Sequence, residues 1–175
     1  MINITEKTQF DNVEENRIIH GDVENIEFEQ SSISINGSNN IIVIEDGVKM
    51  KNCLLKINGE SSIIYLSKSK HWYYLDITAN NNTAVYFGKN CFINGRLVIS
   101  TSERQNVFVG NSGLFSYGIT MRTADPHLVY DIETKKRINH SASILLGDHI
   151  WLGQGVTLLK GTHIGSGSII GAQAV

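Results

Sequence analysis

Aliphatic residues recur at every sixth position from residue 146 to the end of the chain, and this period constrains the fold more than any other feature. The repeating residues are Leu146, Leu152, Leu158, Ile164 and Ile170, and glycine follows four of the five. A period of six matches neither the 3.6-residue repeat of a helix nor the two-residue alternation of a simple strand. It is typical of a chain that forms a short strand, turns a corner and repeats. We therefore predict an all-β fold, a parallel β-helix in which three hexads form each triangular coil of about eighteen residues.

The same step occurs upstream in broken form. Phe87, Ile93 and Ile99 are six apart, as are Val109, Phe115 and Met121. A longer step between these two runs predicts a small bulge near Glu103. We predict one domain over residues 1–175, with degenerate coils over about 17–121 and regular coils over 144–175. The hexads run to Val175 without a cap, which favours a chain cut from a longer protein over an end that a partner subunit covers.

The segment at about 122–143 interrupts two regular runs of hexads. It is rich in charged residues and contains the only proline, Pro126. Long irregular segments inside a compact domain are usually functional. We predict that this segment is extruded from the β-helix as a loop and folds over a neighbouring surface.

Composition indicates which kinds of partner and which cellular compartment to expect for this chain. Charged residues make up 18% of the chain, the net charge is -2, and the basic residues are scattered, which argues against nucleic acid as a partner. The polar N-terminus lacks the pattern of a signal peptide, and no apolar run is long enough for a membrane span, so we expect a cytoplasmic protein without membrane insertion. Cys53 and Cys91 have no metal-ligand spacing and are expected in the core.

Two motifs carry a resemblance to a known family. The sequence GDHIWLGQGVTLLKG at 147–161 resembles the hexapeptide signature of left-handed parallel β-helix acyltransferases. The loop motifs DPH at 125–127, YD at 130–131 and RINH at 137–140 are similar to those of bacterial O-acetyltransferases that modify capsular and other surface sugars, including sialic acid. The resemblance is specific over about 119–175. One departure is Leu128, which stands where related loops often place proline.

The resemblance implies a left-handed coil, acetyl-CoA as the acyl donor and a carbohydrate as the acceptor. It also implies a homo-oligomer, most commonly a trimer, with active sites between subunits. His127 is then the expected general base, because a sugar hydroxyl is a poor nucleophile near neutral pH and histidine titrates close to that pH. Direct attack on acetyl-CoA needs no acyl-enzyme, and the sequence contains no nucleophile motif. The alternative for His127 is a loop histidine that bonds only to backbone.

Further site residues are expected on the loop and on the coils that follow it. Asp125 or Asp131 could orient His127 and stabilise its protonated form, or either could cap a turn. Trp151 occupies an outward position of its hexad, so we expect it to form a wall of the catalytic site or to pack against another subunit.

The resemblance places the pantetheine arm in a groove between adjacent β-helices, and the expected contacts are Trp151, Gly153, Lys160, Gly171 and Ala172. Lys160 would meet a phosphate unless it is only a solvated corner residue. Expected acceptor contacts are Arg122, Tyr130, His140 and His149.

Several alternatives stay open at this stage. An N-acetyltransferase acting on an amino sugar and an acetyltransferase of small drugs share the fold. A zinc carbonic anhydrase would need two closely spaced histidines on one chain, a spacing absent here, so no metal is expected. A purely structural β-helix would have no need of the loop or of His127. The acceptor sugar, the hydroxyl that is modified, and the choice between a monomeric and a polymeric acceptor are left undetermined.

Overall fold

The computed structural model describes all 175 residues as a parallel β-helix with three faces. Its strands, numbered in chain order, are short, and every third strand falls on the same face. Face A contains β1 (Ile2–Ile4), β4 (Ser32–Asn36), β7 (Leu54–Asn58), β10 (Leu75–Asn80), β13 (Leu97–Thr101), β16 (Ile119–Arg122) and β19 (Thr157–Leu158). Face B contains β2 (Arg17–His20), β5 (Ile41–Ile44), β8 (Ile63–Leu66), β11 (Ala84–Phe87), β14 (Val107–Val109), β17 (Ile144–Leu146) and β20 (His163–Ile164).

Face C is divided into two ladders that continue one another along the helix axis. The first contains β3 (Glu27–Glu29), β6 (Lys49–Lys51) and β9 (Trp72–Tyr73). The second contains β12 (Phe92–Ile93), β15 (Leu114–Phe115), β18 (Trp151–Leu152) and β21 (Ile169–Ile170). All ladders are parallel except the pairing of β1 with β4. Two short 3-10 turns, Lys7–Gln9 and Val23–Asn25, lie among the first strands. The prediction of a parallel β-helix is confirmed.

Coil length differs from the prediction over most of the chain. The face A rung that joins Ile33, Leu55, Ile77, Ile99 and Met121 advances by 22 residues at each step. Only the last coil, in which Leu146 pairs with Ile164 and Leu152 with Ile170, has the predicted length of 18 residues. The cause is strand length, because β4 and β5 have five and four residues with two buried side chains each, whereas β19 and β20 on the same faces have only two residues.

One continuous hydrophobic core fills the interior of the β-helix. It contains 37 buried residues, and the rings of Tyr73, Phe87 and Phe115 pack edge to face along the axis. Phe10 is buried against Phe28 at the first coil. Cys53 and Cys91 lie in this core as predicted, and burial raises the pKa of both thiols to about 11.

Where a further coil stacks on them, the glycines that follow the repeat residues are required by close packing between coils. A Cβ atom on Gly110 would lie 2.5 Å from the carbonyl carbon of Gly147, and one on Gly88 would lie 2.5 Å from that of Gly110. The turns themselves use other corner residues with positive φ, such as Asn82, Asn90 and Gly155. No helix of the structure has the length and apolar character that a membrane span requires.

Candidate active site

The extruded segment forms a hairpin at the corner between faces A and B. It leaves the coil after β16 and rejoins it at β17, and we call residues 123–143 the hairpin loop. Tyr130 and Arg137 form an antiparallel bridge, and the N–H of Ile138 donates to the carbonyl of Val129 at 2.9 Å. The segment therefore has defined backbone geometry.

Asp131 caps the turn at the tip of the hairpin loop. Its Oδ1 accepts hydrogen bonds from the Thr134 N–H at 2.6 Å, the Thr134 hydroxyl at 2.7 Å and the Glu133 N–H at 3.2 Å. These bonds favour the ionised carboxylate and lower the pKa of Asp131. Its side chain thus acts in the turn and does not contact the His127 ring.

Asn139 joins the two arms of the hairpin loop beside His127. Its Nδ2 donates to the His127 carbonyl at 2.7 Å and to Asp125 Oδ2 at 2.9 Å, and its Oδ1 accepts from the Val129 N–H at 2.7 Å. One side chain therefore fixes the backbone at His127 and at Val129. Asn139 was not among the predicted site residues, and its only signal in the sequence was its place in the RINH motif.

Two ion pairs dock the hairpin loop on the coils above and below it. Arg137 pairs with Glu103 at 2.7 Å, and the Ser141 hydroxyl donates to the same carboxylate at 2.7 Å. Lys160, one coil further on, pairs with Asp125. The hydrogen bonds from Arg137 and Ser141 lower the pKa of Glu103, and those from Lys160 and Asn139 lower the pKa of Asp125. Both acids therefore stay ionised well below neutral pH.

The imidazole of His127 is exposed and makes no hydrogen bond within the chain. Asp125, predicted to orient it, is bound to Lys160 and Asn139 instead. The ring is therefore free to meet a ligand while its backbone is held. No three His, Cys, Asp or Glu side chains converge in an arrangement that could hold a metal ion.

The other predicted site residues are divided between two sides of the β-helix. Arg122 ends β16, and Tyr130 and His140 are exposed on the hairpin loop, so these three lie on the same side as His127. Trp151 lies on face C, opposite the corner from which the hairpin loop emerges. The remaining predicted residues lie at the corners on either side of face C. His149, with a φ of 55°, lies between faces B and C, and Gly153, Gly171 and Ala172 lie between faces C and A.

Trp151 belongs to an apolar row on face C. Its side chain is 48% exposed, which confirms the predicted outward position, and it pairs in register with Leu114 and Ile169. A shallow groove of about 300 Å³ lies beside it, lined by Phe92, Asn94, Leu114, Phe115, Ser116 and Trp151. One chain therefore presents a histidine on one side and an aromatic groove on the other.

Comparison with known proteins supports the resemblance, although no family model matches the sequence. The chain is 25% identical over 132 residues to the polysialic acid O-acetyltransferase of Neisseria meningitidis, covering 75% of this chain and 60% of that protein. It is 30% identical over 86 residues to the protein of the same name from Escherichia coli O1:K1 / APEC, covering 49% and 28%. It is 32% identical over 88 residues to the galactoside O-acetyltransferase of Lactococcus lactis, covering 50% and 41%. The chain thus spans 28–60% of the length of these relatives.

Solved structures give the same result for the fold. The polySia specific acetyltransferase NeuO matches with a TM-score of 0.84 and 28% identity, over 91% of this chain and 72% of that one. The polysialic acid O-acetyltransferase OatWY matches with a TM-score of 0.55 and 17% identity, over 89% and 80%, a likeness that concerns the fold alone. The predicted resemblance to β-helix O-acetyltransferases is confirmed.

Proposed function

We propose that the protein is an O-acetyltransferase that moves the acetyl group of acetyl-CoA to a hydroxyl of a surface sugar, with polysialic acid as the first candidate acceptor. The observation that carries the proposal is the match to the acetyltransferase NeuO over 91% of the chain at 28% identity. The exposed His127 ring on a docked hairpin loop supplies a suitable base in the same chain.

In the proposed reaction, His127 takes the proton of the sugar hydroxyl as its oxygen attacks the thioester carbonyl of acetyl-CoA. The new C–O bond forms, the C–S bond breaks, and the imidazolium returns its proton to the departing thiolate. Asn139 supports this step by fixing the His127 backbone, and Asp125 by pairing with Lys160. Asp125 thereby acts as a positioning residue for the loop.

We propose that the complete site forms between subunits of a homo-oligomer, for which a trimer is the expected form. The hairpin loop and face C lie on opposite sides of one chain, which supports a site that combines His127 of one subunit with Trp151 of another. Arg122, Tyr130 and His140 would then contact the acceptor from the side of the loop, and His149 from the side of Trp151.

The donor would lie beside Trp151 in this arrangement. Gly153, Gly171 and Ala172 line the corner next to Trp151 and present backbone to a pantetheine arm. Lys160 is paired with Asp125 in the structure, so contact with a donor phosphate would require it to exchange that partner. The single core of 37 residues supports the proposal that residues 1–175 form one domain.

The test is release of free thiol from acetyl-CoA in the presence of polysialic acid, sialic acid, a neutral galactoside and an amino sugar. We expect acceptor-dependent release that falls about 10²-fold or more in His127→Ala. His163→Ala is the matched control, because His163 is an exposed histidine on β20 outside the candidate site. If the wild-type protein releases thiol and His127→Ala releases it at the same rate, the proposal that His127 is the general base is refuted.

The acceptor that supports the fastest release also decides between the related activities. The Lactococcus relative is named a galactoside O-acetyltransferase, so a neutral galactoside is the second candidate acceptor. An amino sugar as the best acceptor would favour an N-acetyltransferase. A folded protein that releases thiol with none of these sugars would contradict the proposed function.

A further inference from the structure

A polar groove lies at the corner between faces B and C, in the first half of the chain. It encloses about 610 Å³ and has no hydrophobic residue in its lining, which includes Lys49, Lys68, Lys70, Lys89 and a single acid, Glu45. The whole chain has a net charge of -2. This concentration of lysines is therefore a local feature against the overall charge of the chain.

Three of these lysines are free of ion pairs. Lys49 is bound to Glu27 at 2.8 Å, whereas Lys68, Lys70 and Lys89 form no salt bridge. The carboxylate of Glu45 is occupied by the Tyr65 hydroxyl at 2.7 Å and the Lys68 backbone N–H at 2.8 Å. The Glu45 carboxylate offsets at most one of these three lysines, so the groove keeps a surplus of positive charge.

The register of the coils places two of these lysines on neighbouring rungs. Leu66 pairs with Phe87, and Lys68 and Lys89 each follow two residues later. Equivalent positions on adjacent coils are about 4.8 Å apart. Both side chains line the groove, and a bound anion would relieve the repulsion between their positive charges. A row of cations along the helix axis suits a polymer with regularly spaced negative charges.

The groove is continuous with the surface around Trp151. A second concavity contains Lys70 together with His71, Trp72 and Phe92, and the groove beside Trp151 also contains Phe92. The His71 ring packs edge to face on Phe92 with centroids 4.7 Å apart. Cations for carboxylates at the corner between faces B and C are thus followed by aromatic rings for sugar faces on face C, the two kinds of contact that an acidic sugar polymer requires.

We propose that this surface, from Lys68, Lys70 and Lys89 through Trp72 and Phe92 to Trp151, is an acceptor track that binds several units of a carboxylate-bearing polysaccharide at once. One unit is acetylated beside Trp151 while others are held in the lysine groove. The acceptor is then a polymer, and the lysines act as a remote subsite that determines affinity for it. The catalytic part of this statement rests on the proposed function, but binding of the polymer does not.

The test measures binding of long polysialic acid and of sialic acid monomer to the full 175-residue chain without acetyl-CoA, at low and high salt. We expect Lys68→Glu combined with Lys89→Glu to weaken binding of the polymer about tenfold or more, with the wild-type affinity falling as salt rises. Lys70→Gln, which removes one charge without reversing it, should have a smaller effect in the same direction. Lys56→Glu on face A is the matched control, and thermal unfolding of each variant establishes that it folds.

The track is overturned if the groove variants bind the polymer as tightly as the wild-type chain does. It is also overturned if they lose affinity for CoA but keep their affinity for the polymer. The two proposals fail separately. Lysine-dependent polymer binding without transfer to any sugar would retain the track and refute the proposed function. If the enzyme has the same KM for monomer and polymer, and the groove variants do not change either KM, the track is refuted and the transferase activity is not.

Discussion

Asn139 connects more of the candidate site than any other single side chain. It contacts Asp125, the carbonyl of His127 and the N–H of Val129, so both arms of the hairpin loop depend on it. A typical hydrogen bond contributes about 0.5–1.5 kcal/mol to stability, and these bonds hold a loop that lies outside the core. Its effect should therefore be on geometry at His127 and not on global folding.

We predict that Asn139→Ala lowers kcat about 10- to 100-fold with little change in melting temperature, since displacement of a base by about 1 Å is enough for such a loss. Steady-state kinetics with the best acceptor, together with thermal unfolding, measures both quantities. Lys136→Ala, an exposed loop residue, is the control. A variant with wild-type kcat, or one that loses its fold, would argue against a positioning role.

At the scale of elements, the hairpin loop is attached by carboxylates whose charge matters. The pKa of Glu103, bound by Arg137 and Ser141, and that of Asp125, bound by Lys160 and Asn139, are both lowered. An acid whose pKa is lower in the docked state favours docking while it is ionised. The contribution of the two acids to docking is therefore complete above their undocked pKa of about 4 and is lost as the pH falls through the lower, docked pKa.

We predict that hydrogen exchange over residues 124–141, corrected for its intrinsic pH dependence, shows loss of protection in acid before the coils lose theirs. Glu103→Gln should weaken protection of the loop already at pH 7, because the neutral amide pairs poorly with Arg137. Loop protection that is the same at neutral and acidic pH would contradict docking by these acids.

The glycines that follow the repeat residues at the corners provide a second test at the scale of elements. A Cβ on Gly147 would lie 2.5 Å from Ser166 Oγ and 2.6 Å from Ser166 N, whereas one on Gly165 has nothing within 4 Å. Neither glycine has a left-handed φ, so the two sites differ in the approach of the next coil and not in backbone strain.

We predict that Gly147→Ala destabilises the chain by about 1–3 kcal/mol, since overpacking displaces backbone. Gly165→Ala should change stability by less than about 1 kcal/mol. Urea unfolding of the two variants measures the difference. Equal midpoints would show that close packing between coils is not what requires glycine at these corners.

At the scale of the whole molecule, the β-helix separates the two halves of the candidate site. The hairpin loop emerges between faces A and B, and Trp151 lies on face C. A β-helix is rigid in cross-section because its core is continuous, so one chain has no way to bring these residues together by bending.

We predict that His127→Ala and Trp151→Ala are each inactive and that oligomers assembled from both regain activity. About a quarter of the wild-type rate is expected after equal mixing, the share of interfaces that combine both intact residues. Unfolding and refolding the two variants together, followed by the thiol-release assay, measures the recovery. Mixtures that stay as inactive as their components would place the whole site within one chain.

The sequence by itself determined the features that depend on local periodicity. The hexads over 146–170 predicted the inward rows and the parallel β-helix, because the in-or-out direction of a strand side chain depends only on its neighbours in sequence. The hairpin loop was also predictable, since a charged segment with the only proline does not fit a stacked coil. His127 was found through the motif around it.

Only the tertiary structure decided what depends on register between coils. The 22-residue coil, the docking of Asp125 by Lys160 and of Arg137 by Glu103, and the role of Asn139 all join residues that are distant in sequence. The lysine groove is of the same kind, because Lys68 and Lys89 become neighbours only when successive coils are superposed. Register results from the summed lengths of many strands and corners, so one extra residue in any of them changes which side chains meet.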